Sequence, residues 1–227
     1  MNNYWLGIEK QWSDGNSAAL EPFSNVCAQT HEFVAEIAQH PDFTDRPPSK
    51  LVVTQRLLLR RLGEELRGVE LLALNGHGFQ AISAAANLFE QSHFMTHAST
   101  SEEVAAKYLD SDDHKQGVSS VRTTVEASGR QRGWDQTRTD DEYSIYSFLC
   151  GFKHNNAVMQ RVLRLPMNPD LVLGQIAISK SIWFVLSAVG LLAVVTLALA
   201  TAHKAIETCN RLMASVKSLP EIEIETS

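Results

Sequence analysis

The chain has 227 residues, 44% hydrophobic and 20% charged, which suits one domain of ordinary size, or one plus an appendage, and excludes a disordered or fibrous protein. Twenty basic against twenty-six acidic side chains leave a formal charge of −6, which argues against a general polyanion coat but leaves room for a local basic site. Three cysteines, Cys27, Cys150 and Cys209, are odd in number, far apart and without Cys-x-x-Cys spacing, so neither a disulfide scaffold nor a zinc knuckle is expected and the chain reads as intracellular.

The long periodic stretches all have helical spacing, and strand-length alternation is missing, which predicts an all-α bundle. The opening MNNYWLGIEKQWSDG has neither a basic n-region nor an apolar h-region, so no signal peptide is expected. Residues 18–40 form a first amphipathic helix through Phe23, Val26, Phe33 and Ile37, ended by Pro41 and then Pro47-Pro48. The second, about Ser49 to Leu74, begins at a serine cap and stripes Leu51, Leu58, Leu62, Leu66 and Val69, with Arg56, Arg60 and Arg67 on another face. Asn75-Gly76-His77-Gly78 is a turn into a third helix, about Phe79 to His97, whose Ala84-Ala85-Ala86 lets a neighbouring backbone come close. Ser99-Thr100-Ser101 with Glu102-Glu103 caps a short fourth helix ending near Leu109. Asp110 to Glu142 reads as a long polar stretch, helical only around Val118 to Ala127, of the kind that binds a ligand. A fifth helix is expected from Asp140 to Leu165, stopped by Pro166, and a last one from the cap Asn168-Pro169-Asp170 unbroken to Ser218.

Within that last helix, the 22 residues from Ser181 to Ala202 carry no charge. At 1.5 Å per residue they reach about 30 Å, the thickness of a hydrocarbon core. The expected organisation is a cytoplasmic bundle over 1–180, a transmembrane helix over 181–202 placed in the cell membrane, and a short helix with an acidic tail over 203–227. Basic residues flank both ends, so charge alone does not set the topology. The competing expectation makes 181–202 the buried core helix of a soluble bundle, since such helices are also apolar all round. A single span cannot enclose a water path, so a membrane role beyond anchoring implies a homo-oligomer, packed through Ser187, Gly190, Ala193, Ala198 and Ala202.

Arg122, Arg130, Arg132 and Arg138 surround Trp134 within seventeen residues. Guanidinium forks match phosphate oxygens and an indole stacks on a base, so these residues are the candidate site for a nucleotide or single-stranded oligonucleotide. Lys153 and His154, in Phe152-Lys153-His154-Asn155-Asn156, form a second polar candidate with Tyr143, Tyr146 and Glu90; the competing reading is a core histidine. Glu90-x-x-His93-x-x-x-His97 supplies half of a di-iron motif without its other half, and Phe94 stands where a zincin needs its base, so a polar seam is expected and not a metal. With no P-loop, Gly-x-Gly-x-x-Gly or nucleophile elbow, neither an enzyme nor a cofactor is expected.

Leu71-Leu72-Ala73-Leu74-Asn75-Gly76, the helical Leu88-Phe89-Glu90 and the spacing of Tyr143 from His154 resemble the DUF5677-like bacterial helical bundles, neighbours of the HEPN group, over about a third of the chain. That resemblance implies an all-α bundle with a binding or RNase role and His154 as a working residue. The chain departs from it at Ala86, where an arginine is expected, and in lacking the Arg-x4-6-His motif of HEPN ribonucleases. A helical sensor followed by a late apolar segment is also similar in architecture to membrane effectors of bacterial anti-phage systems of the Hailong type. This second resemblance implies a ligand-gated homo-oligomeric ion channel in antiviral defence.

Overall fold

The computed structural model describes residues 3–110, 120–153 and 168–220. Among them every regular element is a helix, the all-α fold that the periodicity predicts. In chain order these are α1 (Asn3–Gln39), α2 (Pro41–Thr44), α3 (Lys50–Leu74), α4 (Gly78–Ala98), α5 (Glu102–Asp110), α6 (Val121–Gln131), α7 (Gln136–Lys153), α8 (Pro169–Thr196) and α9 (Leu199–Lys217).

Several boundaries follow from side chains that satisfy the first backbone N–H groups of a helix. Ser49 Oγ accepts from the Val52 amide at 3.2 Å, Ser101 Oγ from Val104 at 3.2 Å, and Asn168 Oδ1 from Asp170 at 3.2 Å. The turn at Asn75-Gly76 uses a left-handed glycine, φ +81°, against which the Trp12 ring packs. At Gly78 the first turn of α4 lies against the start of α8, and a Cβ there would fall 2.1 Å from the Asp170 carbonyl oxygen.

Three elements differ from the sequence expectation. The first helix begins at Asn3, not at 18, because its polar early turns find tertiary partners: Trp12 packs on the core, and Glu9 meets His77 at 3.0 Å. Pro22 sits inside this helix, and Gln175 donates to the carbonyl of Ala19 one turn earlier, at 3.1 Å. The expected polar stretch is structured over 120–142: α6, a tight turn at Gly133 with φ +69°, and α7 beginning at Gln136. Ser120 caps α6, Arg122 pairs with Glu126 one turn on, and Asp135 Oδ1 accepts from the Arg138 amide at 2.8 Å to start α7.

The third difference concerns the apolar run, which is not one continuous helix. It breaks at Leu197–Ala198, where the Ala198 amide donates to Asp42 Oδ2 of α2 at 2.8 Å, and α9 folds back along α8. Val194, Val195 and Thr196 precede the break, and branched side chains at three consecutive positions weaken helix continuation.

The helix α8 is long and apolar enough to cross a membrane, and in this structure it lies in the middle of the bundle, packed on α4, α3, α9 and α1. Of its residues only Lys180, Val194 and Val195 are exposed. Phe184 meets Phe89 edge-on, with ring centroids 5.1 Å apart, and Ile182, Val185, Leu186, Val189 and Leu192 have no exposed surface. The expected boundary at 180 falls inside this helix, which is continuous from Pro169 to Thr196 and contributes to one shared core.

Candidate functional site

The arginine and tryptophan candidates gather where α6, the Gly133 turn and α7 pack against α4. Trp134 lies under two guanidinium groups, Arg132 at 4.9 Å and Arg138 at 5.4 Å from its ring centroid. Arg132 turns inward: its Nη2 donates to Thr96 Oγ1 at 2.7 Å, while its Nε is buried without a partner. Burial pulls this guanidinium down to about 10, against the opposing pull of Glu142.

Beneath them is a polar centre built on His93 of α4. His93 is 1% exposed, with Nδ1 2.5 Å from Ser128 Oγ and Nε2 3.4 Å from Glu142 Oε1. Burial holds His93 below its ordinary value. Burial acts to raise Glu142, but the hydrogen bond from His93 and the charges of His93, Arg132 and Arg138 prevail and leave it below the usual carboxylate value. The imidazole thus joins the Ser128 hydroxyl at Nδ1 and the charged Glu142 at Nε2, while the same hydroxyl donates to the Val125 carbonyl at 3.1 Å. Serine, histidine and glutamate are all enclosed, so the trio joins three helices and has no substrate-sized opening at Ser128.

The remaining candidates divide. Arg122 is engaged by Glu126 at 2.8 Å and Asp140 at 2.5 Å, above the Tyr143 ring. Arg130 is exposed and has no carboxylate partner among the described residues. Arg138 is half-exposed, 3.7 Å from Glu142 Oε2. Lys153 is the last residue of α7, and His154 lies outside the described residues. Of its expected companions, Tyr146 donates to Glu90 at 2.7 Å and stacks on Phe89, with Tyr143 beside it. Glu90 thus serves Tyr146 and His93 serves Ser128 and Glu142, whereas His97 Nδ1 is buried without a hydrogen-bond partner.

Arg138 reaches a further feature, a groove of about 420 Å³ between α7, α8 and the end of α9. Its walls include Arg138, Lys180 and Lys217 around Trp183, with Ile145 and Val216 as apolar floor. Lys217 Nζ stands 5.7 Å from the Trp183 ring centroid. No carboxylate lines the groove among the described residues. Spacing in the chain could not reveal it, because Lys180 and Lys217 look like flanks of the apolar run. They meet because α8 and α9 form a hairpin about Leu197–Ala198, which brings residues far apart in sequence to similar heights.

Comparison of the chain with protein-family models, curated proteins and solved structures gave no match.

Proposed function

We propose that this chain is a binding module, a compact helical bundle that takes a small ligand carrying a phosphate-like anion and a flat ring, of nucleotide class, in the groove between α7, α8 and α9. The supporting observation is the groove's composition: three cations, Arg138, Lys180 and Lys217, and one indole, Trp183, around an apolar floor with no carboxylate among the described residues that line it. The volume is in the range of small-molecule sites. Cations fix the anion and the Trp183 indole adds a flat apolar ring that has one cation over it, Lys217, where the Trp134 ring has two, Arg132 and Arg138. The polar groups enclosed around His93 support binding over catalysis. Titration with ATP and with a short single-stranded oligonucleotide, followed by calorimetry at two salt concentrations, tests this. Lys180→Ala and Lys217→Ala are each expected to weaken binding about tenfold and to flatten its salt dependence. An unchanged affinity in both removes the groove from consideration.

A second reading keeps the apolar run as a membrane segment of a homo-oligomeric effector. It is favoured by the charge-free Ser181–Ala202 and by the exposed corner where the hairpin turns, with Val194 54%, Val195 40% and Leu199 86% exposed. The two readings part on extraction. A module with α8 as core stays in the supernatant after a carbonate wash without detergent, and a membrane effector stays in the pellet.

A further inference from the structure

On other helices of the bundle, sharing no residue with the groove, Cys27 and His31 of α1 face Glu70 of α3. Cys27 and His31 are four residues apart, so both project from one face of α1 on consecutive turns. The three potential ligand atoms, Cys27 Sγ, a ring nitrogen of His31 and a Glu70 carboxylate oxygen, all lie within 4.8 Å of one another. Cys27 has no exposed surface and Glu70 is 4% exposed. His31 Nε2 is buried and has no hydrogen-bond partner, 3.9 Å from Glu70 Oε2. A lone pair left unmatched beside a thiol and a carboxylate is a coordination position more readily than a packing detail.

We propose that Cys27, His31 and Glu70 form a binding site for one divalent cation of the zinc class that ties α1 to α3. A thiol, an imidazole and a carboxylate are the donor set that zinc takes, and the sulfur and nitrogen select against magnesium and calcium. In a tetrahedral zinc shell the ligand atoms stand about 3.3–3.8 Å apart, so closure asks for a movement of about 1 Å from the present spacing. Arg67 already grips Glu70 Oε2, which leaves Oε1 to turn towards the cation while the arginine orients the carboxylate from outside. Binding replaces the Cys27 thiol hydrogen: the sulfur–metal bond forms, the S–H bond breaks, and one proton leaves to solvent. The His31 side chain is 26% exposed, so the fourth position faces the side on which water enters.

Titration of the purified chain with Co(II), then displacement by Zn(II), tests the site. One equivalent of cobalt is expected to bind with a thiolate charge-transfer band in the near ultraviolet and the d–d intensity of tetrahedral coordination. Cys27→Ser should abolish the band, and the double variant Cys150→Ser/Cys209→Ser should leave it intact. His31→Gln removes a side chain whose Nε2 makes no hydrogen bond, so the fold is expected to be retained by circular dichroism while affinity falls tenfold or more. His31→Gln thus serves even where Cys27→Ser does not fold. Absence of the band in the wild-type chain, its survival in Cys27→Ser, or equal affinity in His31→Gln overturns the proposal. None of these outcomes bears on the groove, whose variants are different residues.

Discussion

Trp134 and His93 share one compact centre, with ring centroids 6.2 Å apart, where two guanidinium groups over the indole outnumber one carboxylate, Glu142. A protonated imidazole would add a third positive charge to this centre. His31, His93 and His97 are all held below their ordinary value of 6.5, first of all by burial, so between their folded values and 6.5 the unfolded chain binds more protons than the folded one. Stability is therefore expected to be full above about pH 6.5 and to fall as pH drops through this window; Glu142, held below the usual carboxylate value, adds a further loss at lower pH. Urea midpoints measured from about pH 7.5 to 4.5 check this, and His93→Gln is expected to give a shallower slope than the wild-type chain. At this scale the sequence was informative about composition and silent about partners. The cluster of arginines around Trp134 was visible, but Arg132 reaches Thr96, 36 positions earlier, and nothing in local spacing announces that. Cys27 and His31 carry no signal in the sequence by themselves, and only the placement of Glu70 on α3 brings a third ligand atom to them.

Helix identity was more legible than helix extent. The caps at Ser49, Ser101 and Asn168 are local chemistry, and the helices they open begin where those residues predict. The early start of α1 and the break at Leu197–Ala198 were not legible, because each is decided by a distant contact, Glu9 with His77 in one case and Asp42 with Ala198 in the other. The joint between α4 and α8 gives the sharpest test at this scale. Gly78→Ala would set a methyl group against the Asp170 backbone and force the two helix starts apart, so a loss of about 1–3 kcal/mol is expected in chemical denaturation. Asp42→Ala removes the acceptor of the Ala198 amide and is expected to cost about 1 kcal/mol, as the loss of a helix cap does. A destabilisation confined to Gly78→Ala would mean that the hairpin corner is set by apolar packing alone.

For the whole molecule, the apolar segment that dominates the sequence is also the one around which the other helices gather. Composition cannot separate hydrocarbon from protein as the surroundings of such a helix, since both reward the same side chains. The packing of α8 on α1, α3, α4 and α9 supports protein, and the exposed Val194, Val195 and Leu199 at the corner mark where a lipid surface would first touch. Liposome flotation is expected to leave the chain unbound, and Leu199→Lys is expected to change its solubility without changing its thermal midpoint, because Leu199 is 86% exposed. A midpoint lowered by that substitution would show that the corner is packed in solution.

The position of α8 late in the chain also shapes how the protein is made. Residues 3–110 leave the ribosome with the inward faces of α1, α3 and α4 uncovered, and their shared filling, Pro169–Thr196, is synthesised well afterwards. Until it arrives the nascent chain presents greasy surface that invites chaperones or aggregation, so slowing translation before residue 169 should lower the yield of native protein.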